Sequence, residues 1–118
     1  MAVLDAFMRA FNARDVEAFE ATLHFPHYRI ASGEVSVLQA AGTRPDLFER
    51  FASATQGWDR SAWEARTVIH SGPSKVHFDT RFIRYRADGS ILSEFDSIYI
   101  VTRQDGRWGI KARSSFAP

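Results

Sequence analysis

Residues 99–110 read Tyr99-Ile100-Val101-Thr102-Arg103-Gln104-Asp105-Gly106-Arg107-Trp108-Gly109-Ile110. Apolar and polar side chains alternate on both sides of Asp105-Gly106, the period of a half-buried strand. Asp-Gly readily adopts the left-handed backbone that a two-residue hairpin loop needs. Working back along the chain, Asp88-Gly89 and Gly72-Pro73 break the preceding residues into similar runs. The part from Ala62 onward therefore predicts four strands joined by three tight turns.

Upstream the period lengthens. Leu4, Phe7, Met8 and Phe11 form the stripe of a helix that Asn12 ends. Asp15 can cap a second helix with Val16, Phe19 and Leu23 on its buried face, and Pro26 is expected to stop it. His27–Ile30 and Val35–Leu38 read as short strands around the turn Ala31-Ser32-Gly33-Glu34. Pro45 suits the first turn of a third helix. Its buried face would be Leu47, Phe48, Phe51 and Ala52, and Gly57 would end it. The order α-α-β-β-α-β-β-β-β predicts an α+β fold: three helices packed on one face of a strongly curved, mainly antiparallel sheet. No linker or repeat interrupts it, so a single domain over 1–118 is expected.

Composition narrows the function classes. Fifteen Lys and Arg against fourteen Asp and Glu give a net charge of +1, which predicts no long-range field for nucleic acid or anionic membrane. Arg81, Arg84, Arg86, Arg103 and Arg107 alternate with acids, so nucleic-acid binding is not expected. There is no Cys, which removes disulfides, thiolate catalysis and cysteine-ligated metals. No His/Asp/Glu spacing suits a metal, and no cofactor is expected. No apolar run reaches membrane-span length and no secretory signal is visible, so the default location is cytoplasmic.

With two-residue loops, register follows by arithmetic. Arg81 faces Asp96, and Tyr99 faces both Phe78 and Ala112. The covered face then carries Trp63, Ile69, Val76, Phe78, Phe82, Phe95, Tyr99, Val101, Trp108, Ile110 and Phe116. The other face carries charged rows: Glu64, Arg81, Asp96, Ser115 and Arg66, Asp79, Ile98, Arg113. A β-bulge would shift part of this assignment by one residue. On the covered face Ala65, Thr80, Ser97 and Ser114 form a row of small residues between bulky ones. This trough is either a ligand cavity or the seat of a helix residue such as Phe11 or Phe51.

The order of elements, with Phe11-Asn12-Ala13-Arg14-Asp15-Val16 and residues 99–110, resembles the nuclear transport factor 2-like superfamily, which includes SnoaL-like polyketide cyclases and ketosteroid isomerases. The resemblance implies a cystatin-like cone with a pocket between helices and sheet. It also implies a homodimer formed through the outer sheet face, where Glu64, Arg66, Asp79, Arg81, Asp96 and Arg113 could complement themselves; the alternative is a solvated face. The isomerase machinery does not carry over. Phe7 stands where those enzymes place a Tyr oxyanion donor, and Ala31 near their general-base Asp.

Three functions remain open. One is a binding domain for a small apolar or amphipathic molecule, with Thr80, Ser97, Ser114 and Tyr99 supplying hydroxyls and Trp63, Phe82 and Trp108 as walls. Another is a small cyclase-, isomerase- or hydratase-type enzyme with His27 as general base. The third is an interaction module whose own side chains fill the pocket. Of the other histidines, His24 flanks the same Phe25-Pro26 pair, while His70 and His77 lie in the strands. Trp58 and Trp63 bracket the entry to the sheet, as a lid or as core.

Overall fold

The computed structural model describes all 118 residues. The elements follow in the expected order: α1 (Ala2–Ala13), α2 (Val16–Glu20), β1 (Leu23–Ala31), β2 (Glu34–Leu38), α3 (Leu47–Ala54), β3 (Arg60–Ser71), β4 (Lys75–Tyr85), β5 (Ile91–Gln104) and β6 (Arg107–Ser115). One six-stranded sheet has the order β2-β1-β6-β5-β4-β3. Every neighbouring pair is antiparallel except β1 with β6.

Local chemistry explains the helix ends. Arg14 is left-handed at φ 55° and closes α1 by bonding back to its last carbonyls. The Asp15 carboxylate accepts the Ala18 N–H at 3.1 Å and starts α2. Two helix expectations need correction. α2 stops at Glu20, so Leu23 belongs to β1 and Pro26 lies inside a strand. The reason is Thr22: its hydroxyl donates to the Phe19 carbonyl at 2.7 Å, and its own carbonyl accepts the Ile110 N–H at 2.8 Å. The chain is thus pulled onto β6 before the proline is reached. Pairing is irregular between Leu23 and Tyr28, where Pro26 has no N–H to give. In α3, Asp46 is the cap and Pro45 precedes it; Phe48 is buried but Ala52 is exposed.

The β4/β5 register is the expected one, with Arg81 opposite Asp96 and Phe78 opposite Tyr99. Bulges displace the other two hairpins. Between β3 and β4 the loop spans four residues, closed by the Gly72 N–H on the Lys75 carbonyl at 2.8 Å. Bulges at Ile69 and Glu64 then restore the pairing of Trp63 with Phe82. Between them Thr80 faces Arg66 rather than Ala65. Between β5 and β6, Val101 pairs with Ile110 but Ile100 pairs with Ala112, leaving Lys111 as an extra residue. Beyond it the faces exchange: Tyr99 opposes Arg113, and Ser97 opposes Ser115. Ser114 therefore turns outward and Arg113 inward, reversing the expectation for both. Phe116, 81% exposed, and Ile69, 45% exposed, are not on the covered face. Bulges raise local twist, which lets the sheet curl around its helices.

The core comprises Leu4, Phe7 and Ala10 of α1, Phe19 of α2, Phe48 of α3 and sheet residues including Leu23, Phe78, Tyr99, Val101 and Ile110. Rings of the three helices meet directly. Phe7 lies 5.2 Å from Phe19, and Phe11 lies 5.2 Å from Phe48 and 4.9 Å from Phe51. The outer face carries a compact ionic cluster in which Arg81 reaches Glu64 at 2.8 Å, Asp96 at 3.0 Å and Glu94 at 3.4 Å. Arg66 leaves this ladder and pairs with Asp5 on α1, because the Ile69 bulge turns it toward the helix. No helix is long and apolar enough to cross a membrane.

Candidate functional site

A cavity of about 360 Å³ lies between the helices and the sheet, within the size range of small-molecule sites. Phe7, Met8 and Phe11 of α1 and Leu47 and Phe51 of α3 supply apolar wall, with Phe82 and Tyr99 from the sheet. Phe11 and Phe51 line the space rather than fill it. The β2–α3 loop that brings Arg44 to the rim is held by Glu20, whose two carboxylate oxygens each accept the Gly42 N–H at 3.1 Å.

The polar lining is of one sign. Arg29, Arg44, Arg50, Arg84 and Arg113 reach the cavity with His27, and no Asp or Glu does. Arg50 pairs with Asp46 at 3.7 Å. None of the other four has an Asp or Glu within ion-pairing distance, and Arg29 donates to the Pro118 backbone oxygen at 3.4 Å. Arg84 is 7% exposed and lies over three rings: Phe95 at 4.9 Å, Phe51 at 5.1 Å and Phe82 at 5.7 Å. Arg113 lies over Phe7 at 5.3 Å and Phe19 at 5.7 Å, and its Nε has no hydrogen-bond partner. Arg29 is directly opposite Arg113 across the parallel pair.

His27 is 1% exposed, and its Nδ1–H donates to the Ile110 carbonyl at 3.0 Å. That bond fixes the tautomer and leaves the Nε2 lone pair buried and unmatched. Burial, then the charge of Arg113, pushes the imidazole down to about 3. Such a group is neutral at physiological pH. It accepts a hydrogen bond well, and its lowered basicity suits an acceptor more than a general base.

Of the other residues expected at the site, Phe82 and Tyr99 line the cavity, whereas Trp63, Thr80, Ser97, Trp108 and Ser114 do not. Thr80 and Ser97 are buried and satisfy each other, hydroxyl to hydroxyl at 2.6 Å. The Trp63 indole N–H donates to the Leu4 carbonyl at 3.0 Å, and that of Trp58 to the Ser61 hydroxyl at 2.8 Å; both tryptophans are core. His24 is structural: its Nε2–H donates to the Arg107 carbonyl at 3.0 Å while Nδ1 accepts from the Arg107 guanidinium at 3.2 Å. Arg107 also donates to the carbonyls of Ala21 and Leu23, each at 3.0 Å. His70 and His77 face one another on exposed strand ends, with no group of three ligands around them.

The chain resembles other proteins mainly in fold. A family model described as NTF2-like protein (DUF6841) matches residues 1–115. No curated protein matches the sequence. Among solved structures, a protein of unknown function with a cystatin-like fold from Nostoc punctiforme superposes with a TM-score of 0.77 at 11% identity, covering 100% of this chain and 87% of that one. An NTF2-like protein from Cytophaga hutchinsonii gives 0.74 at 17% identity, covering 99% and 93%. A protein provisionally named a ketosteroid isomerase, from Shewanella frigidimarina, gives 0.71 at 15% identity, covering 97% and 91%. At these identities the likeness is one of architecture, not of chemistry.

Proposed function

The chain belongs to the NTF2-like family DUF6841, and from that premise we propose that it is a small-molecule-binding domain whose ligand, an amphipathic molecule with an apolar body, occupies the cavity between α1, α3 and the sheet. One observation carries this reading: the buried, unmatched Nε2 of His27 in the wall of an otherwise apolar and cationic cavity. An orphaned buried acceptor costs about 1–3 kcal/mol, and a ligand O–H or N–H would remove that cost. Phe7, Phe11, Phe51 and Phe82 supply the apolar contact that holds a ring system.

Dimerisation through the outer sheet face is part of the proposal. Arg81 already has three acidic partners within the chain, so the ladder is not the adhesive element. Tyr28 and Ile30, 41% and 47% exposed, adjoin Ala112 and Ser114, which in turn face Ile100 and Ile98. This apolar strip is the better self-complementary surface.

The test is a thermal-shift screen of neutral, anionic and cationic ring compounds. Hits should stabilise the native chain increasingly, with the logarithm of ligand concentration above Kd. A Met8→Trp variant, which fills the cavity from α1, should melt normally and lose every hit. Hits that survive Met8→Trp would place the ligand elsewhere. Sedimentation of Ile30→Glu should show monomer where the native chain shows dimer.

A further inference from the structure

We infer that the ligand is an anion: a carboxylate or similar oxyanion on an apolar ring body, held between Arg29, Arg84 and Arg113 with a hydroxyl or N–H directed at His27. This rests on the small-molecule reading above and adds the charge of what binds.

Three observations converge. The first is register. Arg29 and Arg113 stand directly opposite on neighbouring strands of the covered face, an arrangement that is unfavourable when nothing neutralises it. The second is counter-charge. The chain pairs Arg50, Arg60, Arg66 and Arg81 with acids, yet leaves these three cavity arginines without an Asp or Glu, Arg29 having only a long bond to the Pro118 backbone oxygen. A guanidinium cannot escape by losing its proton, so burial without an anion is a standing cost that ring contacts only partly offset. The third is orphaned polar atoms. The Arg113 Nε donor and the His27 Nε2 acceptor are both buried without partners. One asks for an acceptor and the other for a donor.

The titration directions agree with this geometry. Burial and then Arg113 lower Arg29, while burial and then Arg29 lower Arg84. The guanidinium groups therefore feel one another's charge with no Asp or Glu between them. A bound oxyanion reverses that repulsion and offers each fork the bidentate partner it fits. The aromatic wall requires the anion to carry an apolar body. An inorganic anion would leave that surface uncovered.

The experiment uses the full chain and calorimetric titration with three probes: 6-hydroxy-2-naphthoate, its neutral counterpart 6-(hydroxymethyl)-2-naphthol, and inorganic phosphate. The acid should bind at least tenfold more tightly than the alcohol, and phosphate should bind weakly. Arg84→Met and Arg113→Met should each weaken the acid tenfold or more and leave the alcohol unchanged. Without ligand, both variants should melt at the native temperature or above it, because each removes a charge with no Asp or Glu partner, buried for Arg84 and half-buried for Arg113, while keeping an apolar stem. If the alcohol matches the acid, the cavity reading survives and the anion is overturned. Phosphate matching the acid would overturn the need for a ring body. If acid and alcohol both fail to bind, both readings fall. Variants that melt early but hold the acid at native affinity would make these arginines structural and end the proposal.

Discussion

The Asn12 side chain pairs with the backbone of Ser61 as a neighbouring strand would, its amide N–H donating to the Ser61 carbonyl and its oxygen accepting the Ser61 N–H, both at 2.8 Å. One residue in the last turn of α1 thereby fixes the first residues of β3, forty-nine positions away. Ser61 is itself a wall of the cavity, so this clamp sets the distance between helix and sheet there. Asn12→Ala should cost about 2–4 kcal/mol, since a buried donor and acceptor are both abandoned. Asn12→Asp should also destabilise at neutral pH, because it places a carboxylate against the Ser61 carbonyl. Urea unfolding with an unchanged slope and a lowered midpoint would register both. A midpoint within 0.5 kcal/mol of native, on the order of an ordinary surface change, would refute the clamp.

Gly109 packs against the ring of His24. A Cβ there would sit 2.6 Å from His24 Cδ2 and 2.8 Å from Nε2. Gly109→Ala should push the ring off the Arg107 carbonyl and cost roughly 1–3 kcal/mol. In a His24→Ala background the same change should cost much less. Equal costs in the two backgrounds would show that the ring is not the obstacle.

Stability should depend on pH through His27. Its folded value is about 3 against 6.5 unfolded, so between those limits the unfolded chain holds a proton that the folded chain refuses. The stabilisation is complete above pH 6.5 and is lost as pH falls toward 3. The loss should reach roughly 2–3 kcal/mol by pH 4.5 and roughly 5 kcal/mol in all. Asp5, lowered by its bond to Arg66, and Asp88, lowered by its bonds to Ser90, act in the same direction but only at lower pH. Urea midpoints between pH 6.5 and 4.5 therefore isolate the histidine. His27→Gln should flatten the dependence; a native curve already flat there would contradict the burial of a neutral imidazole.

Thr80 and Ser97 should behave as structural partners. Thr80 Oγ1 also lies 3.0 Å from the Ser97 carbonyl. Thr80→Val keeps the shape and removes both bonds, at a cost of about 1–2 kcal/mol. Thr80→Val with Ser97→Ala should recover part of that loss, measurable by a double-mutant cycle.

Much of this molecule is legible in its sequence. The Asp-Gly turns and the alternation around them give the element order and the β4/β5 pairing. The candidate site is legible only in part. Arg84 shares the parity of Phe82, and Arg29 that of His27, so both point inward by the same rule; a nearly neutral net charge hides them because the balancing acids lie on the other face. Arg113 could not be found this way. Its direction depends on Lys111, and a bulge leaves no mark in an alternation that simply continues. Thr80 and Ser97 were visible as small and inward, but not as bonded to one another.

The unpaired Lys111 gives the last strand an on–off character. Lys111 as the extra residue holds Arg113 opposite Tyr99; drawing Lys111 into the ladder opposite Ile100 would turn Arg113 outward and Ser114 inward without altering a letter of the chain. A cationic chamber would become a hydroxylated one by a one-residue slip in pairing. The pairing of the final strand beyond Ile110 is thus a specificity determinant in its own right. Which residue is left unpaired there matters as much as which residues are present.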